Sequence, residues 1–257
     1  MLESPGELAN VGQTQAAGWL ARNRRRIDQD VRGLARRHLT AAFMAQYDAT
    51  KSALERFVRG HVIDLGAGES PFAEIVRPQS TRYDTLDTSC DRQAVTFVAD
   101  IQNMPEVDSE QYDTALCLQV LEHVPEPAAA LRECSRVLRP GGMLILSVPH
   151  LSRLHDEPHD YFRYTCHGLA HLAAQAGFVV QEMHPYGSVC SFLGHQLSTL
   201  VLLVVWGIPG LREAARIMNC LLLVWPCWLL DRTPFVNRFA PLGYLAVFVK
   251  LDTPATD

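Results

Sequence analysis

The chain lacks the residues on which several compact functional motifs depend. No Cys-x-x-Cys pair occurs among Cys90, Cys117, Cys134, Cys166, Cys190, Cys220 and Cys227. An odd, scattered set in mostly apolar surroundings gives no zinc signal and reads as reduced, buried thiols in a cytoplasm. No lysine follows the glycines of Gly66-Ala67-Gly68, which excludes a Walker loop. Pro71 stands where a dinucleotide fingerprint needs its third glycine, so NAD is disfavoured. Met1 to Asn10 has neither the charged start nor the apolar stretch of a signal peptide. The two strongly apolar runs, Leu197 to Trp206 and Cys220 to Leu230, fall short of the roughly 18–20 residues of a spanning helix. Positive charge is not in excess: the net charge is −5 and the pI about 6.0, unlike a nucleic-acid polycation.

What is present is enough for a large core, with 257 residues of which 48% are hydrophobic. The stretch from His61 to Phe72 organises it. Val62 to Leu65 reads as a buried strand that runs into a glycine turn and then a helix from about Pro71. Asp64 lies inside the apolar run, where a carboxylate needs a polar partner. Gly66 and Gly68 permit a sharp turn and close approach to a ligand. Before the turn, residues 1–13 read as a loose tail and 14–59 as helical. Arg22, Arg24, Arg25, Arg26, Arg32, Arg36 and Arg37 cluster there, as a solvated helix face or as a patch for anionic lipid head groups or a phosphorylated substrate.

From Val62 the chain alternates. Strands are predicted at about 62–65, 82–86, 95–99, 113–118, 143–148 and 178–183, with helices at 71–77, 127–138 and 166–176. Pro127 suits a first helical turn, Pro140-Gly141-Gly142 a stop, Thr165 an N-cap and Gly177 a second stop. This alternation predicts an α/β, doubly wound, Rossmann-like sheet. Residues 186–242 break the pattern with their two apolar runs, separated by Leu211 to Arg216. They read as a buried helical cap, a hairpin at a membrane interface, or a transmembrane pair. Residues 243–251 return to strand character. The expected organisation is an N-terminal helical cap (1–59), a core (60–185), an apolar insertion (186–242) and a last strand with tail (243–257).

Each predicted strand ends in a polar residue. Asp64 ends the first. Asp87 ends the second and is able to accept both hydroxyls of a ribose. Asp100-Ile101 follows the third and suits an adenine amine and ring face. Gln119 follows the fourth. Together they describe a slot for an adenosine-bearing cofactor.

The set Val62-Ile63-Asp64-Leu65-Gly66-Ala67-Gly68, Leu86-Asp87, Ala99-Asp100-Ile101, Leu118 to Val124 and Leu138-Arg139-Pro140-Gly141-Gly142 resembles the class I S-adenosylmethionine-dependent methyltransferases, of the type 11-like kind. The resemblance covers about 61–183. It implies a seven-stranded sheet with an antiparallel last strand and S-adenosyl-L-methionine as cofactor. It places Gly66, Ala67 and Gly68 against the methionine part, Asp87 on the ribose, Asp100 and Ile101 at adenine, and Gln119 at the methionyl end. Many members carry a third glycine where Ser70 stands. The Gly-x-Gly-x-x-Pro form, the segment His155 to Thr165 and the apolar insertion resemble a branch found among polysaccharide and cell-envelope biosynthesis proteins.

The function expected from this resemblance is methyl transfer by in-line displacement, onto a small-molecule, glycan or lipid-linked acceptor, with oxygen favoured. Alignment and desolvation supply most of such a rate, and a general base adds to it for a hydroxyl. His155, then His123 and His150, are the candidate bases, with His159, Asp156 and Glu157 nearby in sequence. No metal is expected, because Pro149 and Pro158 mark a loop and the histidine spacing is no helical pair. Competing readings are an inactive cofactor-binding or scaffolding module and a nucleic-acid methyltransferase. Gln119-Val120-Leu121 departs from the Asn/Asp-Pro-Pro-aromatic signature of base amino-methylation, so no nucleic-acid partner is expected. The expected setting is cytoplasmic, peripheral at the inner face of a membrane, with an anionic membrane surface as partner.

Overall fold

The computed structural model describes residues 19–31, 33–90, 95–156, 158–208, 210–232 and 240–252. The expected tail 1–13, the start of the helical region at 14–18, Arg32 and Glu157 lie outside them, as do parts of the insertion and of the C-terminal tail. Two compact units divide the chain. A sheet unit comprises Gln46–Ser152, Tyr161–Tyr186 and Pro241–Asp257, and a helical unit comprises Met1–Ala45, Arg153–Asp160 and Gly187–Ala240. The boundary expected at 59 therefore falls at 45, and 153–160 leaves the expected core for the helical unit.

The sheet unit is built on β1 (Gly60–Leu65), β2 (Ser80–Asp87), β3 (Phe97–Val98), β4 (Tyr112–Leu118), β5 (Leu138–Pro149), β6 (Phe178–Tyr186) and β7 (Gly243–Lys250). Their order is β3-β2-β1-β4-β5-β7-β6, and β7 runs antiparallel to both neighbours. Val62, Ile63 and Leu65 of β1 and Leu144, Ile145 and Leu146 of β5 are wholly buried. Continuous apolar runs of this kind belong to strands covered on both faces. Each such side chain contributes about 1.5–3 kcal/mol on burial. Chain order reverses between β1's two neighbours, β2 and β4, which opens a crevice beyond the carboxyl ends of these strands.

Helices α1 (Trp19–Asp30) and α2 (Ala41–Phe57) replace the single helical region expected over 14–59, with a 3-10 turn (Gly33–His38) between them. Gly33 opens that break, where a poor helix former is tolerated. The helix after the glycine turn, α3 (Ala73–Val76), is shorter than expected and tightens into a 3-10 turn at Pro78. α4 (Pro127–Val137) buries Ala130, Leu131, Cys134 and Val137, one face of a 3.6-residue period. In α5 (Cys166–Gln175) the Thr165 hydroxyl accepts from the Gly168 N–H at 3.1 Å, the predicted N-cap. Gly177 follows at φ +81°, the predicted stop. Arg139 to Gly142 do more than end α4: they lie within β5, where Gly141 takes φ +72° and the pairing with β4 slips.

In the helical unit, α1 meets the last turns of α6 (Val189–Val205). Trp19 Nε1 donates to the Val204 carbonyl at 3.0 Å and Asn23 Nδ2 to that of Leu203 at 2.7 Å. Val31, Leu39, Leu202 and Trp206 form its apolar cluster. The last helix, α7, is continuous over Arg212–Asp231, 20 residues, with a π turn at Cys220–Val224. The sequence reading set Leu211 to Arg216 apart as a separator. Its polar residues instead form the first turns of the same helix. α7 is not the buried cap helix expected as one alternative, for only 11% of its most apolar 18-residue window is buried. Gly194 lets α6 approach α7: a Cβ there would lie 2.5 Å from Cys227 Sγ. Ser188 and Ser191 both donate to the Asp231 carboxylate, which ties the start of α6 to the end of α7.

Candidate functional site

The glycine turn hangs on the end of β2. The Gly66 and Ala67 N–H groups both donate to the Leu86 carbonyl, at 2.8 and 3.0 Å. Gly66 takes φ +69° and Gly68 φ +56°. A Cβ on Gly66 would lie 2.5 Å from Val120, so only glycine fits against the loop that follows β4. Gly68 differs: nothing described lies within 4 Å of where its Cβ would stand. Its N–H donates to Asp87 Oδ2 at 2.8 Å, while Asp87 Oδ1 accepts from the Thr88 N–H at 2.7 Å. The carboxylate is thus fixed in orientation beside the open face of the turn. Ser70 also takes a left-handed φ, +45°, a conformation that favours glycine.

Asp64 is 7% exposed and accepts from the Tyr83 hydroxyl at 2.5 Å. Burial, reinforced by the Asp87 charge, raises its pKa to about 6, and the Tyr83 bond opposes that rise. Tyr83 also hydrogen-bonds Ser70, so one phenol braces both the strand end and the turn. The sequence reading passed over Tyr83. Its signal was register: it lies two residues before Thr85, the partner of Asp64, on the same sheet face.

Asp100 accepts from the Gln102 N–H and from Gln102 Nε2, both at 2.8 Å, which closes a tight turn. Ile101 is only 5% exposed and packs into the core. From α4, the loop beyond is held by Arg136, which donates to the carbonyls of Met104 and Val107. Gln119 takes φ +58°, strained for a non-glycine residue. Its side-chain amide donates to Ser147 Oγ and to the Tyr186 hydroxyl, each at 3.2 Å. Ser147 is fully buried, and burial with the Glu122 charge pushes the Tyr186 hydroxyl's pKa upward. Ser147 and Tyr186 extend the polar strand ends to β5 and β6, where a sequence reading had no motif to follow.

The crevice therefore gathers Asp64, Gly66, Ala67, Gly68, Asp87, Asp100 and Gln119 at successive strand ends, with Ile101 beneath. Of the candidate bases, His123 and His150 belong to the sheet unit and His155 to the helical unit. Nε2 of His123 is 3.8 Å from the fully buried Glu122 carboxylate. The His150 ring tilts against Tyr244 at 5.6 Å, and its Nδ1 is buried without a hydrogen bond to any described residue. His155 Nδ1 lies 3.4 Å from Asp160 Oδ2, and its backbone N–H donates to the same oxygen. In the helical unit a cavity of about 40 Å³ is lined by Arg24, Arg153 and His195 with apolar walls from Ile27 and Phe43.

A family model described as a methyltransferase domain matches residues 35–183, more than half of the chain. The chain belongs to this methyltransferase family. A ubiquinone biosynthesis O-methyltransferase of Neisseria meningitidis is 29% identical over 101 residues, 34% of this chain and 42% of that protein. A protein of the same name from Hahella chejuensis is 33% identical over 89 residues, 34% of this chain and 33% of that one. The methyltransferase thus matches well under half the length of these relatives. The solved S-adenosylmethionine-dependent methyltransferase of Mesorhizobium loti shares the fold with a TM-score of 0.52 at 16% identity, over 80% of this chain and 98% of that one. That of Archaeoglobus fulgidus gives 0.51 at 16%, over 80% and 94%.

S-adenosyl-L-methionine is the cofactor of the methyltransferase, and the residues present fit it. The side-chain-free face of Gly68 leaves room beside an oriented carboxylate, and the Gln119 amide is held by Ser147 and Tyr186 at the end of the fourth strand. The cofactor supplies an activated methyl group.

Proposed function

We propose that this methyltransferase methylates a hydroxyl oxygen of a small amphiphilic acceptor, lipid-linked or glycan-bearing, in the cytoplasm at the inner face of a membrane. The observation that carries the chemistry is the Asp87 carboxylate clasped by Gly68 at the strand ends. The names of the O-methyltransferase relatives support oxygen. The branch resemblance to cell-envelope proteins supports a lipid-linked or glycan-bearing acceptor. On this reading Asp87, Asp100 and the glycine turn position the cofactor. One of His155, His123 and His150 takes the hydroxyl proton. His155 is the first choice, because Asp160 orients its imidazole.

Purified protein given methyl-labelled cofactor and a cell extract tests this. Label is expected in the organic-soluble fraction, on a species 14 Da heavier, and not with Asp87→Ala. His155→Ala should lower kcat by about 10²–10⁴-fold with little change in KM. Label in nucleic acid or protein would overturn the acceptor class.

A further inference from the structure

We propose that the α6–α7 hairpin is a membrane-seating surface that inserts its exposed apolar side one leaflet deep into an anionic bilayer, lying in the plane rather than across it. The proposal rests on the functional reading above for its location alone.

The carrying observation is a stripe. On α7 Ile217, Leu221, Trp225 and Leu229 recur every four residues and are each 46–63% exposed. Met218, Leu222 and Leu230 widen the stripe. On α6 Leu193, Leu197, Leu200 and Val204 are 45–57% exposed at the same helical spacing. The opposite sides of both helices are tied into the unit by side-chain hydrogen bonds. Asn219 donates to the Leu39 carbonyl at 2.8 Å, His195 shares a 3.0 Å hydrogen bond with Thr40, and Asp231 takes the two serine hydroxyls. Water is thus left facing apolar rows, a cost proportional to their area.

Lipid fits these rows better than another protein does. Protein interfaces carry about one hydrogen bond per 100–200 Å². Along the exposed side of α7 the Trp225 indole is the sole side-chain donor among these residues. Hydrocarbon asks for none. The surroundings are basic. Among the described side chains of α1 and the turn after it, Arg22, Arg24, Arg26 and Arg37 are cationic and Asp30 anionic, in a chain whose net charge is −5. α1 carries part of that set against the last turns of α6. Arg212 and Arg216 open α7 and pair there with Asp30 and Glu213, and Arg232, stacked 3.7 Å over Trp228, follows its end. Arginine and tryptophan together suit a phosphate-rich interface. The uncharged part of α7 runs from Ile217 to Leu230, 14 residues. That is about 21 Å of helix against a hydrocarbon core of about 30 Å. By length and composition the whole 20-residue helix is able to cross a membrane. Its uncharged part is shorter than the core, however, and its other side is tied to the unit through Asn219 and Asp231, which favours a place in the interface.

Flotation of the full-length protein without detergent tests the assignment. The probes are vesicles of phosphatidylcholine with and without phosphatidylglycerol. The protein is expected to float with the anionic vesicles, at least tenfold less with the neutral ones, and to shift its tryptophan emission to the blue on binding. The double substitution Leu221→Glu, Leu229→Glu changes only exposed positions. It should abolish flotation while circular dichroism and binding of S-adenosylhomocysteine stay at wild-type level. Three results would overturn the proposal: wild-type protein that floats with neither vesicle; a soluble dimer that the double substitution splits, which assigns the stripe to a second copy; and resistance to alkaline carbonate, which assigns α7 as spanning. Flotation without a methylated lipid counts against the acceptor class, and a methylated lipid without flotation counts against this surface.

Discussion

At the scale of single residues, Asp87 holds two jobs with one carboxylate. Oδ2 anchors the Gly68 N–H, and the group as a whole faces the open side of the turn. Asp87→Asn keeps a carbonyl oxygen for Gly68 but loses the charge and one acceptor. Asp87→Ala loses both. Calorimetric titration with S-adenosylhomocysteine should therefore rank wild type, Asn and Ala in falling affinity, with Ala weaker by about 10–150-fold, as expected for a charged hydrogen bond. Equal affinities for Asn and Ala would mean that the clasp on Gly68 is irrelevant. Other carboxylates of the sheet unit do structural work instead. Asp84 accepts from Tyr112 and Arg82 and pairs with His61, and Asp113 accepts from Arg139.

At the scale of elements, the glycine turn and the β4 loop are fitted to each other. Gly66→Ala forces a side chain into φ +69° and into Val120. The first cost is about 1–2 kcal/mol, and the clash adds to it. Val120→Ala relieves only the clash. Chemical denaturation should show Gly66→Ala destabilised by about 2–4 kcal/mol, with the double variant recovering part but not all of it. The hairpin has its own tie. Asp231→Ala leaves the hydroxyls of Ser188 and Ser191, both fully buried, without their acceptor. A loss of about 2–4 kcal/mol is expected, seen as faster amide exchange over α6 and α7. Elements with strong local signals were legible in the sequence. Apolar strands between Gly and Pro, the Thr165 cap and the Gly177 stop reported themselves. The α7 helix did not, because its polar first turns looked like a linker between two short greasy runs. Of the site, the residues at strand ends were readable in a row. Tyr83, Ser147 and Tyr186 were not, because their placement depends on register and on strand neighbours far apart in the chain.

At the scale of the whole molecule, two buried groups respond to acid in opposite senses. Asp64 has a native pKa of about 6 against an ordinary 3.8. Between those values the folded chain holds the proton more tightly than the unfolded one, so Asp64 favours folding as pH falls through that window and opposes it above. Burial lowers the His195 pKa from 6.5 to about 4. Its contribution is whole above pH 6.5 and is lost as pH falls to 4, because the unfolded chain then takes the proton first. Each effect is roughly 3 kcal/mol by the same conversion. Melting curves between pH 6.5 and 4 should therefore fall more steeply for Asp64→Asn than for wild type, and less steeply for His195→Gln. Parallel curves for all three would refute both assignments.

The position of β7 carries a consequence for biosynthesis. It is the seam between β5 and β6, yet it comes after the apolar hairpin in chain order. While the ribosome works toward residue 243, β5 and β6 both wait with an unpaired edge, and the greasy helices have already been made. A nascent chain in that condition either finds shelter promptly or clumps. The sheet closes only after residues 243–250 have been made, and a bilayer or a holding chaperone has the first opportunity to receive the hairpin.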